Sequence, residues 1–306
     1  MDTVLTIFRE LGPTIYSSLE LIGVYVILAL SLNMINGMAG MFSIGHAGFW
    51  AVGAYSAAAV TVHGPVALGG PLLLVISIVV AMVAAGVAGF ILAVPCLRLT
   101  GDYLAIVTLG FSIIIVTLLY NFEYMGAATG VSTPILASKG VIWFMVLLTL
   151  IVYYRLQFSS LGRTIQALRE DEIAAQSVGL NRVRLKTIVF VIGAAMAGLA
   201  GALYASSQTY LSPAGFEFDK SIKLLTMVVL GGLGSITGVA VAAVLLTLLP
   251  EVLRLFSLDA YQMLVFSGML LVMVLLRPQG LMGRYEIWDL PLLRRYWRPG
   301  GAESKS

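Results

Sequence analysis

The chain has 306 residues, 59% of them hydrophobic and only 11% charged, against roughly one quarter charged in an ordinary soluble domain. Its 15 acids and 18 bases cannot clothe so large an apolar mass in water, and a net charge of +3 gives no reason to expect nucleic acid as a partner. One cysteine, Cys96, and two isolated histidines, His46 and His63, offer neither an intramolecular disulfide nor a metal-ligand set.

The N-terminus, MDTVLTIFRELGPTIYSSLE, carries acids and lacks a basic leader or a small-residue cleavage site. Residues 1–14 therefore read as a short N-terminal segment, and the first apolar run, from Ile15 to Leu32, as a retained span. No Asp, Glu, Lys or Arg occurs between Glu20 and Arg98. Uncharged stretches of about 20 residues cross a bilayer as helices. Runs such as PLLLVISIVVAMVAAGVAGFILAV are apolar on every face, which suits a helix and not the alternating strand of a barrel.

After the first span comes NMINGMAGMFSIGHAGFWAVGAY, with glycines at 37, 40, 45, 48 and 53. Backbone freed at membrane depth must face protein or a cavity. Residues 37–48 are accordingly read as a kinked or re-entrant element, followed by a helix to Val60. Spans over 71–95 and 103–120 flank the polar turn LRLTGDY, where Asp102 reads as a solvated membrane end. A polar loop over 121–140 and a span over 141–154 lead to the charged segment 155–186. Four apolar pieces follow, 187–206, 221–232, 236–250 and 260–276, the middle two separated by GGLGS at 231–235. The expected fold is an all-α polytopic bundle of about eight to ten membrane helices over 15–276, with glycine-broken elements. Residues 277–306 form a tail whose bases and aromatics suit a headgroup boundary.

Orientation follows from the bases. Segment 155–186 holds six, Arg155, Arg163, Arg169, Arg182, Arg184 and Lys186, and the tail holds five from Arg277 to Arg298. The positive-inside rule places both in the cytoplasm, and the loops 62–70, 121–140 and 207–219 outside. Five crossings before Arg155 put the N-terminus outside, and a 37–48 element that only dips in and out changes that count by one. Four must then lie between 186 and 277, so the short piece 221–232 has to cross.

Two rows of small residues, Gly193, Ala197, Gly201, Ala205 and Ala194, Gly198, Ala202, predict a close helix–helix interface. The breaks at 37–48 and 231–238 are read as corresponding elements of two halves, flanking a permeation route. Asn33, Asn36, Ser43 and His46 by the first, with Ser235 in the second, are the candidate residues of that path. An ion-coupled carrier would need ionisable groups at depth, and across 21–97 only His46 offers one. It reads as a packing or hydrogen-bonding group.

Residues 158–182, FSSLGRTIQALREDEIAAQSVGLNR, place Leu161, Ile165, Leu168 and Ala175 at helical spacing with Arg163, Glu170 and Asp171 on polar positions. Gly179 reads as the stop of a helix over 161–179 within a folded helix pair or helix–turn. Its apolar face would lie on the bundle surface or dock into a partner's cleft. The stretch from LGRTIQALREDEIAAQSVGLNR to GLAGALYA resembles the permease subunits of bacterial ABC importers for branched-chain amino acids. The likeness extends to RLTGDYLAIVTLGF, VLGGLGSITG and LRPQGLMG, in order along most of the chain, and is greatest to the M-type subunit.

The resemblance implies a second homologous permease subunit, two cytoplasmic ABC ATPase subunits, an extracytoplasmic amino-acid-binding protein and a place in the bacterial inner membrane. It also implies a cytoplasmic coupling helix. That family's coupling motif, two alanines, three residues and a glycine, matches Ala174, Ala175 and Gly179, with Glu172 upstream and Ile173 inserted between. Arg163 and Leu168 complete the candidate coupling set. No GxxxxGK[ST] loop occurs, so the chain reads as a transport subunit without cofactor, with ATP and Mg bound by the ATPases. A permease for urea or short amides, a secondary transporter and a channel stay open beside the amino-acid importer.

Overall fold

Apolar runs without charge become helices because each backbone group then finds its partner within the run. The computed structural model describes residues 2–64, 69–96, 103–255, 261–276 and 280. Its helices are α1 (Asp2–Asn33), α2 (His46–His63), α3 (Gly70–Cys96), α4 (Tyr103–Tyr120), α5 (Lys139–Gln157), α6 (Ser160–Glu170), α7 (Glu172–Ser177), α8 (Arg182–Ser207), α9 (Phe218–Gly231), α10 (Ile236–Leu255) and α11 (Gln262–Leu276). Among the described residues six helices are long and apolar enough to cross a membrane. Helix α2, as long as α4 but less apolar, and the shorter α9 and α11 belong to the same bundle. Asp102 and the tail, apart from Gly280, lie outside the described residues.

The ends of the bundle can be assigned from contacts. Tyr153 near the end of α5 bonds Asn33 at the end of α1, while Gly23 packs on Ile142, so α1 and α5 run parallel. Their far ends share a side with the 121–138 loop. There β1 (Val131–Ser132) pairs antiparallel with β2 (Tyr210–Leu211), joining that loop to the chain beyond α8. Residue pairs Gly45–Thr108 and Gly48–Ser112, and the stacked rings of His63 and Tyr124, show that α2 and α4 both run toward this loop end. Helices α6 and α7 occupy the opposite end.

Five helices precede α6 and four follow α7 before Gly280, whose backbone lies against Gly232 at the α6–α7 end. The start of α1 and residue 280 thus sit at opposite ends of the bundle. Helix α9 is short: its 14 residues reach about 21 Å, and it follows the 3₁₀ turn Pro213–Phe216, with Ser221 in its first turn bonded to the Ala47 amide at the start of α2.

Helices α1–α4 and α8–α11 repeat one another upside down. Each set opens with a long helix, breaks, restarts at depth and continues through two more crossings. Helix α8 packs on α2 and α3 as α1 packs on α9 and α10. This corrects the expected pairing of the two glycine-rich breaks: the counterpart of 34–45 is 208–217, and the 232–235 turn corresponds to the connection between α2 and α3. Glycine spacing is blind to chain direction, which is why the pattern paired them.

The small-residue rows of α8 form the centre of the bundle and are buried throughout. A Cβ at Gly198 would strike the Ala81 carbonyl and Ala85 of α3, one at Gly201 the Trp50 carbonyl and Ala54 of α2, and one at Gly193 the side chain of Ile35. Backbones that meet this closely gain contact along their whole length, which is what holds helices together in lipid. Above the seam, Trp50 packs edge-on against Tyr204 and Phe216, with ring centroids 5.0 and 4.6 Å away.

Candidate translocation and coupling site

Helix α1 does not simply stop. It loosens into a π-helical turn, Met34–Met38, and the chain then turns back toward the bundle centre. Asn33 at the junction reaches across to the turn between α9 and α10. Its Oδ1 accepts from the Gly234 amide at 2.8 Å, and its Nδ2 donates to the Ser235 carbonyl at 2.9 Å and the Tyr153 hydroxyl at 3.0 Å. Gly37 is needed beside this amide, because a Cβ there would collide with Asn33 Oδ1 and the Gly234 nitrogen. Gly234 has φ +96°, a conformation that a side chain disfavours. Ser235 caps α10, its Oγ accepting from the Gly238 amide at 3.0 Å.

The returning strand, residues 39–45, is held by side chains because it has no ladder of its own. Asn36 and Ser43 form a reciprocal pair: the Ser43 amide donates to Asn36 Oδ1 at 3.0 Å, and Asn36 Nδ2 to the Ser43 carbonyl at 3.1 Å. Thr108 of α4 accepts from the Ile44 amide at 3.2 Å, and Ser221 of α9 from the Ala47 amide at 3.2 Å. Amides at the start of α2 are thereby satisfied at depth by two other helices. His46 Nε2 lies 2.7 Å from Ser31 Oγ, whose single proton goes to the Leu28 carbonyl at 2.8 Å. Nε2 therefore carries the hydrogen and donates to Ser31.

All five candidate path residues are interior: Asn33, Ser43 and His46 are 0% exposed, Ser235 4% and Asn36 6%. The structure joins Asn33 to Ser235 and Asn36 to Ser43, and places His46 apart from both, against Ser31. Ser43 Oγ and His46 Nδ1 are buried without a hydrogen-bond partner.

The candidate coupling residues divide. Leu168 and Ala175, with Ile165, are 1–5% exposed and pack into this chain. The apolar stripe is thus consumed by the bundle, and not presented as a docking face. A single helix over 161–179 is also corrected. Asp171 leaves helical geometry and caps a second helix, accepting from the amides of Ile173 at 3.0 Å and Ala174 at 2.9 Å. Glu172 binds Lys186 at 3.1 Å and Arg182, tying α7 to the start of α8. Arg163 donates to the Phe158 carbonyl at 2.8 Å.

What does face outward is Ile173, 82% exposed, Val178, 76% exposed, and the turn at Gly179. Gly179 has φ +87°, with its own amide on the Gln176 carbonyl and the Leu180 amide on the Ala175 carbonyl, a Schellman stop. Sequence reasoning passed over Ser31, Thr108, Tyr153, Arg169 and Ser221. Their partners lie up to 174 positions away, beyond any local pattern.

A bundle of apolar helices, with α2 and α9 restarting at depth after breaks in the chain, defines a polytopic membrane permease. The family described as branched-chain amino acid transport system / permease component matches residues 14–275, and the chain belongs to it. It is 39% identical over 295 residues to the high-affinity branched-chain amino acid transport system permease protein LivM of Escherichia coli (strain K12), covering 85% of this chain and 68% of that one. Identity to the LivH permease protein of the same system and organism is 28% over 298 residues, covering 89% and 95%. A probable LivM of Methanocaldococcus jannaschii is 25% identical over 331 residues, covering 91% and 96%. No solved structure matches the chain. The stronger likeness to LivM than to LivH makes this an M-type member of the family.

Proposed function

We propose that the chain is the M-type membrane subunit of an ATP-driven importer that carries leucine, isoleucine and valine across a bacterial inner membrane. The family match over residues 14–275 is the observation that carries this reading. Its complex comprises a second homologous permease, two ABC ATPases on the α6–α7 side and an extracytoplasmic binding protein at the loop end. Basic residues crowd the α6–α7 segment, which supports a cytoplasmic placement for it and for the C-terminal tail.

Coupling is assigned to Arg163, Leu168, Glu172, Ala174, Ala175 and Gly179 in two capacities. Exposed Ile173, Ala174, Val178 and Gly179 meet the ATPase. Buried Leu168 and Ala175, and Glu172 through α8, fasten that surface to the bundle. The path is assigned to Asn33, Asn36, Ser43, His46 and Ser235, which are closed off in this conformation and open when the inner ends of α1 and α10 part.

Purification of the membrane complex and reconstitution with its binding protein test the reading. Two ATPase chains should accompany the permease pair, and ATP-dependent uptake of labelled leucine should be competed by isoleucine and valine. Competition by urea alone would reassign the substrate to short amides. Uptake without any associated ATPase would make the protein a secondary transporter or channel.

A further inference from the structure

Arg169 is the one base of the α6–α7 segment that turns inward to the broken helices. It stands in the last turn of α6, where a cation also suits the helix dipole, and its guanidinium donates to the Gly37 carbonyl. That carbonyl belongs to the π-helical turn at the end of α1. The arginine stem lies along Gly40, where a Cβ would come 2.9 Å from Arg169 Cγ, and Nη1 lies 3.1 Å from the Cβ position of Gly234. Both glycines have left-handed φ, +64° and +96°. Each gives the backbone its turn and leaves room for the arginine. One side chain from α6 thus touches the end of α1, the returning strand and the turn before α10, next to the Asn33 amide that joins α1 to that turn.

We propose that Arg169 is the positioning residue through which the α6–α7 segment moves the inner ends of α1 and α10 as a unit. This rests on the importer reading for its role in transport, but the mechanical link itself does not. Without the guanidinium, α6 still packs through Ile165 and Leu168, so the segment remains attached while its connection to both breaks is lost. Lysine keeps the charge and the stem but not the planar guanidinium that sets Nη1 on the Gly37 carbonyl and beside Gly234 at once.

The test uses the assembled complex carrying Arg169→Met or Arg169→Lys, read in two ways. Hydrogen exchange should quicken in peptides over both 34–41 and 232–238 in the methionine variant, with lysine restoring only the Gly37 side. Unchanged exchange at either break overturns the link. Uptake per ATP hydrolysed should fall about tenfold in the methionine variant while hydrolysis itself stays within about twofold, as loss of a coupling free energy of ordinary size requires. Uptake and hydrolysis falling in proportion, or neither falling, overturns the role in transport. Should the methionine variant fail to assemble, the lysine variant decides: exchange over 232–238 should quicken while 34–41 stays as in the wild type, unchanged exchange over 232–238 overturns the link, and uptake per ATP is read as before. A wild-type complex without ATP-driven uptake would sink the importer reading and leave the exchange result to judge the link.

Discussion

The seam where α8 meets α2 and α3 and the joint where α1 meets the α9–α10 turn are both built on glycine, to opposite ends. In the seam glycine removes bulk so that apolar backbones touch over several turns, at Gly53, Gly198 and Gly201. At the joint it admits polar groups: Gly37 makes room for the Asn33 amide, and Gly234 presents its own N–H to it. Dispersion contacts summed along a helix resist sliding, because every contact must be lost together. A few directional bonds can be exchanged singly. The first region is suited to stay fixed while the second changes.

Substitutions separate the two. Gly198→Leu should have the largest effect, since the added atoms strike the Ala81 backbone and not a movable side chain. A destabilisation of about 3 kcal/mol or more is expected, read as loss of monodisperse protein on size exclusion. Asn33→Leu leaves the Gly234 amide unpaired at the joint and removes the bonds to the Ser235 carbonyl and the Tyr153 hydroxyl. It should cost about 2 kcal/mol, seen as a lowered thermal midpoint with faster exchange over 232–238. Equal damage from the two changes would erase the distinction.

Gly179→Val acts at neither region. A Cβ there meets nothing within 4 Å, so only the left-handed backbone resists, at about 1 kcal/mol. Folding should survive while uptake or ATPase association drops, and normal values for both would withdraw this turn from the coupling surface. Ser43→Ala should be smallest and of opposite sign. Removing a buried hydroxyl without a partner leaves stability unchanged or raises it by about 1 kcal/mol. Reduced uptake in a protein of full stability would show that Ser43 serves another conformation, and full uptake would remove it from the path.

Local chemistry was legible in the sequence wherever it depended on neighbours. Helix α4 spans Tyr103–Tyr120 as the charge-free run predicts, and the four-residue spacing of Gly193, Ala197 and Gly201 marked the seam. Gly179 was readable as a helix stop. Asp171 before Glu172 was also a readable cap, yet the apolar spacing continuing to Ala175 suggested one helix where the chain builds two. The joint was hidden for a different reason. Asn33 finds Tyr153 and Ser235 only after the helices have been set upside down to one another, and nothing near residue 33 announces which carbonyl its amide will meet.

The two-pair ladder between β1 and β2 has a mechanical consequence. Everything from α5 to α8 lies between its strands, so this stretch is a closed circuit with a clamped base. The Thr133 amide on the Thr209 carbonyl at 3.1 Å and the Leu136 amide on the Ser206 carbonyl at 2.9 Å tighten that clamp. Two stiff arms rise from it, α5 of 19 residues and α8 of 26, about 28 and 39 Å long, and α6–α7 bridges their tips. With the base unable to spread, a push on the bridge cannot dissipate as drift of the arms. It must emerge as tilt, and the leverage is greatest at the tips, where Tyr153 of the first arm holds Asn33.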